Sequence, residues 1–458
     1  MLLLLLGCAG SASESGQPGL DPVLVEARSP QHAQRELPGR AVVAGPGDVT
    51  HDGYDDVVLG NIDAQTLDLY VGTPVGLGGS PTKVIPLGGY PWVIAPGGDP
   101  FGNGRRHVLV EVTSENQSGV QLFEEGDDGL DVLPVWQVEA SGGVTYLGGD
   151  LSVGDLDGDG LDDLVLGQES AYGAYPRGSK VQAAVYAGSL NGPGSESTWV
   201  RSATRSGAYH TGGASAGGDV NGDGYADLVV SDLADNCTSG PWGGVAVYDG
   251  SAAGPTFEPS FWLPNSGLGL SSRAGDLDGD GFDDVLVSTT CGGAQRYVDG
   301  ARGSAVVALR GSAGGLGEPS WAVRDDLRYT DFARDFDAAD VDGDGLLDLL
   351  VATSGYETLG EARRGYHQRG MGMIWLGSPT GFGDCASTRQ DALHPWPNAY
   401  LRATGSEVSG APYRHEGIRA IGDIDGDGRE DVAVYQTTTF IFTDVGFRTA
   451  CGAGGTEG

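Results

Sequence analysis

The stretch "GDLDGDGLDDLVLG", residues 154–167, sets Asp155, Asp157, Asp159 and Asp163 within nine residues. Carboxylates crowded this closely repel one another unless a cation sits among them. Asp at loop positions one, three and five with Gly at position six is how a short loop wraps a hard cation in oxygen. The Gly permits the sharp turn, and the next residue offers its backbone carbonyl. An EF-hand loop requires a bidentate Glu at position twelve and a helix on each flank. Position twelve here is Leu166, inside the apolar run "LVL", and the last carboxylate is Asp163 at position nine. The loop closes early and runs into a strand, which excludes an EF-hand.

The stretch recurs along the chain, as repeat architectures require. "GDVNGDGYADLVVS" begins at Gly218, "GDLDGDGFDDVLVS" at Gly275, "ADVDGDGLLDLLVA" at Ala339 and "GDIDGDGREDVAVY" at Gly422. "GDVTHDGYDDVVLG" at Gly47 is weaker, with Thr50 replacing the second acid. "GDPFGNGRRHVLVE" at Gly98 is a ruined copy: Phe101 and His107 fill ligand slots beside Arg105 and Arg106. The first Asp of the seven copies stands at 48, 99, 155, 219, 276, 340 and 423, with spacings of 51, 56, 64, 57, 64 and 83 residues.

A second motif interleaves with the first. "LDLYVGTPVGLG" (67–78), "VQAAVYAGSLNGPG" (181–194), "GVAVYDGSAAGP" (244–255) and "SAVVALRGSAGGLG" (304–317) are apolar strands ending in Gly-rich turns. A strand bearing Trp136, Trp199, Trp262 or Trp321 often follows. Each repeat therefore reads as four strands, the second and third nearly continuous in apolar residues, as expected where both faces are covered. Such units bury themselves as a radial propeller, and seven lie within the usual four to eight blades. The fold class is all-β, a seven-bladed propeller of four-stranded blades. Blade seven has strands near 417–422, 431–435 and 438–444 but no apolar fourth, whereas "PVLVEA" at 22–27 is spare. That segment is expected to supply the outermost strand of blade seven and fasten the ring.

The acidic loop, the "DLVV"-like strand after it and the "VYVYxGS"-like strand that follows resemble the FG-GAP (VCBS-type) repeats of the integrin alpha-subunit propeller. The resemblance spans about residues 20–450, is specific in repeats three to seven, and fades in repeats one and two. It implies calcium in the hairpin loop between the first and second strands. The ligands implied are Asp155, Asp157, Asp159, Leu161 (carbonyl) and Asp163 in loop three, and Asp219, Asn221, Asp223, Tyr225 and Asp227 in loop four. Loop five contributes Asp276, Asp278, Asp280, Phe282 and Asp284; loop six Asp340, Asp342, Asp344, Leu346 and Asp348. Loop seven contributes Asp423, Asp425, Asp427, Arg429 and Asp431. Loop one, with Asp48, Thr50, Asp52, Tyr54 and Asp56, is expected to bind more weakly and loop two not at all. About five Ca2+ ions are expected, with loop one as a sixth site.

The formal charge is −37, and the 81 Gly and 23 Pro punctuate strands rather than form low-complexity tracts. Five divalent ions bring the charge only to about −27, which disfavours nucleic acid and anionic membranes as partners. "LLGC" at 5–8 resembles a bacterial lipobox with Cys8 as the lipidated residue, although no basic residue precedes it. The organisation expected is a lipoprotein-type signal segment at 1–8, a flexible tether at 9–20, the propeller at 21–450 and a tail at 451–458. Lipidation of Cys8 leaves Cys237, Cys291, Cys385 and Cys451, an even number suited to an oxidising compartment. Pairing 237–291 and 385–451 joins adjacent blades, one of three connectivities that four Cys allow.

No metalloprotease, P-loop or dinucleotide motif is present. "GASAG" (213–217) matches G-x-S-x-G, but a nucleophile elbow needs a strand-to-helix turn, so Ser215 reads as packing. The acid pairs Asp55/Asp56, Asp162/Asp163 and Asp283/Asp284 recur in register, so one member reads as a ligand and the other as exposed. The irregular stretches 355–370, with Tyr356, Arg363, Arg364, Tyr366 and Arg369, and 384–416, with Trp396, Tyr400 and Tyr413, have interface-type composition. The function expected is a calcium-stabilised, cell-surface or periplasmic module that binds or adheres to a protein or glycan on a propeller face. It meets a membrane only through a lipid anchor at Cys8, as an outer-membrane or cell-surface lipoprotein. The alternatives are a propeller-scaffold lyase or hydrolase acting on polysaccharide, or a structural envelope component.

Overall fold

The computed structural model describes residues 31–114, 118–140, 150–167, 181–202, 213–233, 243–264, 268–289, 305–324, 335–356, 369–382, 399–402, 417–435 and 438–443, without 318 and 380 and with 333 and 445. Every regular element among them is a strand. Blade three shows the plan: Asp150–Gly154, Asp163–Gly167, Val181–Tyr186 and Trp199–Ser202 pair antiparallel in chain order. Seven such sheets follow one another and close into a β-propeller. The first strands, Ala41–Gly47, Tyr90–Pro96, Asp150–Gly154, Ala214–Ala216, Leu268–Gly275, Phe336–Ala339 and Gly417–Ala420, touch in an unbroken ring.

The core lies between blades rather than within them. Leu109, Leu122 and Trp136 of blade two pack on Leu151, Leu164 and Tyr186 of blade three. Val165, Val185 and Trp199 of blade three pack on Leu228, Ala246 and Tyr248 of blade four. The second strands Asp163–Gly167 and Asp284–Thr289 are therefore buried at every position, which explains their unbroken apolar runs after the leading Asp. The outer Trp residues reach forward: Trp136 and Trp199 meet Tyr186 and Tyr248 edge-on at 5.2 and 5.1 Å between ring centres. Their indoles donate to Gly194 O and Thr256 O of the next blade at 3.0 and 3.1 Å. Ser215 is buried in a first strand, as its packing role requires.

The ring closes through the chain's early residues; the expected strand at 22–27 lies outside the described residues, and the place given to it beside the third strand of blade seven is held by a later segment. Arg35–Pro38 takes the outer place of blade seven, antiparallel to Thr438–Phe442 with Leu37 opposite Thr439. Gln31–His32 runs parallel to the outer strand Ala399–Arg402 of blade six. Arg35 donates to Leu77 O at 2.8 Å and Gly79 O at 2.6 Å in blade one. One short segment thus ties blades six, seven and one together. Where blade one abuts blade seven, Gly45 has no room for a side chain: a Cβ there lies 2.5 Å from the Ile421 backbone.

Leu37 is the only buried residue of the closing strand. Leu37→Asp should cost about 3 kcal/mol, the loss of a buried Leu plus an unpaired charge. Calorimetry should show a melting point several degrees lower, and truncation after residue 39 should do the same while truncation after residue 30 should not. Equal melting of the two truncations contradicts closure by this strand.

Candidate metal centre

Each acidic loop is a compact turn held by its own first Asp. In loop three Asp155 Oδ1 accepts the Gly158 and Asp159 amides at 2.7 and 3.1 Å, and Oδ2 accepts Gly160 N at 2.9 Å. Asp157 and Asp159 accept Asp159 N and Leu161 N at 3.2 and 2.9 Å. The same bonds recur at Asp219, Asp276, Asp340 and Asp423. Gly at position six is left-handed throughout, for example Gly160 at φ 86° and Gly345 at φ 89°, a conformation that disfavours other residues.

Position nine is a buried carboxylate. Asp163 takes Leu156 N on Oδ2 at 3.1 Å and Gly188 N on Oδ1 at 2.9 Å, joining the loop's start to the end of the third strand. Asp56, Asp227, Asp284 and Asp348 make the same two bonds. Burial pushes these carboxyls up, Asp56, Asp163 and Asp284 to about 6, Asp227 to about 7, and Asp348 and Asp431 to about 8. Burial and the neighbouring acids also raise Asp157, Asp342 and Asp425 at position three. A cation among them offsets this cost of ionisation.

Carboxylate oxygens converge within 4.8 Å in four loops: Asp155, Asp157 and Asp159; Asp276, Asp278 and Asp284; Asp340, Asp342 and Asp344; Asp423, Asp425 and Asp431. The donors are all hard oxygen, the set that suits calcium or magnesium and not a soft metal. Loop four keeps every turn bond around Asp219, Asn221, Asp223 and Asp227, but Asn221 makes it one carboxylate short. Loop one keeps the Asp48 and Asp52 turn bonds, with Thr50 at position three. Its position four is His51, left-handed at φ 57°, whose Nε2 lies 2.6 Å from Glu125 Oε1 of blade two.

Loop two holds the same turn by other means. Asp99 accepts Asn103 N and Gly104 N at 3.0 and 2.8 Å, and Asn103 Oδ1 accepts Arg105 N. Phe101 stacks on His107 with 5.3 Å between ring centres, filling positions three and nine, and His107 Nδ1 lies 2.8 Å from Gly98 O. Arg105 and Arg106 pair with Glu124 and Glu125, so their charge is spent inside the blade.

The loops also lace neighbouring blades together, which the isolated motif does not reveal. The position-eight amide donates to the position-one carbonyl of the preceding loop: Asp55 to Asp423 O at 3.1 Å, Ala226 to Asp155 O at 3.0 Å, Asp283 to Asp219 O at 3.0 Å. The position-eight side chain returns the bond, Asp55, Asp162 and Asp283 accepting the amides of Asp423, Asp99 and Asp219 at 3.0, 2.7 and 2.8 Å. The first members of the acid pairs are therefore half-buried clamps and not the exposed residues expected. Position seven packs as well: a Cβ on Gly158 lies 2.5 Å from the Tyr225 ring, and one on Gly426 lies 2.7 Å from the Tyr54 ring. Cys8, Cys237, Cys291, Cys385 and Cys451, and Arg363, Arg364, Tyr366, Trp396 and Tyr413 of the irregular stretches, lie outside the described residues.

Fold and loops together define a β-propeller with clustered carboxylates in its junction loops, and comparison with known proteins names the repeat. A model of the FG-GAP-like repeat matches residues 155–230 and 219–287, spanning loops three, four and five. Integrin alpha-PS2 of Drosophila melanogaster is 34% identical over 166 residues, 31% of this chain and 11% of that protein. Integrin alpha-V of Gallus gallus is 30% identical over 232 residues, covering 47% of this chain and 20% of its own length. Integrin alpha-5 of Xenopus laevis is 29% identical over 177 residues, 35% of this chain and 16% of its own. The aligned parts thus span a fifth or less of these relatives. A crystal structure of BBS1N in complex with ARL6DN aligns over 89% of this chain and 96% of its own at 10% identity and a TM-score of 0.45. The chain is a β-propeller that carries FG-GAP-like repeats over residues 155–287 and is similar to integrin alpha subunits.

Asp99 caps two amides in a loop with no carboxylate cluster. Asp99→Ala should therefore lower stability by about 0.5–1.5 kcal/mol, the net worth of hydrogen bonds to exposed donors that water can replace, while leaving bound metal unchanged. Paired denaturant melts and metal analysis check this; a lost ion contradicts it.

Proposed function

We propose that the chain is a calcium-stabilised, exported binding module of the adhesion type, whose rigid propeller presents a face to a protein partner. The observation that carries this reading is the convergence of three carboxylates in each of four junction loops. Two of those loops, three and five, lie in the segment matched by the FG-GAP-like repeat. The similarity to integrin alpha subunits supports protein binding as the use of the fold. Among the described residues no helix is long and apolar enough to cross a membrane. The signal segment at 1–8, tether at 9–20, propeller at 21–450 and tail at 451–458, with an anchor at Cys8 and pairing of Cys237 with Cys291 and Cys385 with Cys451, belong to the same proposal.

In this reading the position-one, -three, -five and -nine side chains and the position-seven carbonyl hold the ion. The ion supplies positive charge to carboxylates that burial has made costly to ionise. Loop two shows that the turn forms from hydrogen bonds alone, so calcium tightens blade junctions rather than creating them. An ion that binds only the folded chain at 100 times its Kd adds roughly 2.7 kcal/mol per site.

Chelation should lower the melting temperature markedly while leaving the β-sheet signal intact at room temperature, and Asp157→Ala should remove one ion. Beads coated with the chain should bind immobilised extracellular proteins in calcium and lose that binding in chelator. Melting indifferent to calcium overturns the metal reading; absence of protein binding alongside glycan binding overturns the choice of partner.

A further inference from the structure

Opposite loop position nine, at or near the end of the third strand, each blade has one register position. The pairs Leu164–Tyr186, Leu228–Tyr248, Val285–Leu309 and Val432–Phe442 put Ala187, Asp249, Arg310 and Thr443 there, and His107 pairs directly with Glu124. In blades one, three and six it is the uncharged Val71, Ala187 or Leu376, whereas in blades two, four and five it carries a charge. In blade two, where the loop is basic, it is Glu124, bonded to Asn103 at 2.6 Å and lying 3.4 and 3.6 Å from Arg105 and His107. In blade four, where Asn221 leaves the loop one acid short, it is Asp249, whose charge reaches Asp227. In blade seven it is the neutral Thr443.

Blade five carries the sharpest case. Arg310 pairs with Asp278 and lies 3.1 Å from Asp280, positions three and five of the loop that converges Asp276, Asp278 and Asp284. Its guanidinium also rests over Trp321 at 5.4 Å, so it is held in place rather than swinging in solvent. The Asp278 side chain is buried, where a paired charge is screened least.

We propose that Arg310 is a built-in counter-ion competing with the divalent cation for loop five. Loop five then holds calcium more weakly than loops three, six and seven and stays neutralised when calcium is scarce. This rests on the calcium reading above and deepens it: one blade junction is stiffened by the chain's own cation, while its neighbours depend on the medium.

The test counts tightly bound calcium on the full chain by equilibrium dialysis, with melting in chelator to confirm folding. Arg310→Gln should hold one more tight ion than the parent, its loop-five affinity rising about tenfold for the loss of one partly screened charge. Grafting the residue into loop three should do the reverse: Ala187→Arg loses one ion while Ala187→Gln, similar in reach but uncharged, keeps it. If Asp157→Ala loses an ion but Arg310→Gln gains none and Ala187→Arg loses none, this inference fails and the calcium reading stands. If neither the parent nor any variant takes up calcium, both fail.

Discussion

Asp56, Asp163, Asp227, Asp284 and Asp348 lose their water on folding and recover two backbone donors each, one from the start of their loop and one beyond the third strand. That exchange joins three strands of a blade at one point. It also leaves a buried charge needing more than two neutral donors, since desolvation outweighs them and lifts the carboxyls to about 6 to 8. In the surrounding loop further carboxylates gather, a set suited to a hard cation, and the first Asp of the loop fixes the turn that presents them. Because each loop is bonded to the next blade, whatever steadies the loop steadies the junction.

Blade two shows how much of this is independent of metal. Its position nine is His107, its position three Phe101, and the stacked pair occupies the space that carboxylates take elsewhere. The turn survives because Asp99 still caps its amides. The propeller is thus a hydrogen-bonded and apolar structure first, and the proposed cations would add to the stiffness of particular junctions.

Seven blades and their loops were legible because a nine-residue pattern recurs with a covered strand after each copy. The closing strand was misjudged for a physical reason. "PVLVEA" is the more apolar segment, but an outer strand buries only one residue in four, and apolar content is the wrong test. Lys83–Pro86, the outer strand of blade one, and Arg35–Pro38 share a pattern: a basic residue, a buried aliphatic at the third place, then Pro. Comparing "RELP" with "KVIP" carried the signal. The clamps at position eight were hidden differently, since each joins residues about 60 apart or, between Asp55 and Asp423, 368 apart. Only the recurrence of the acid pairs hinted at them, and their solvent-facing reading ignored the neighbouring blade.

The central claim is that the loops are structural joints between blades and not pendant turns. Native-state hydrogen exchange at the junction amides of Asp55, Ala226 and Asp283 tests it most directly. The account has these amides exchanging as slowly as those of the buried second strands, and more slowly still when calcium is added. Exchange as fast as that of the exposed turn at Val75, unchanged by calcium, contradicts it.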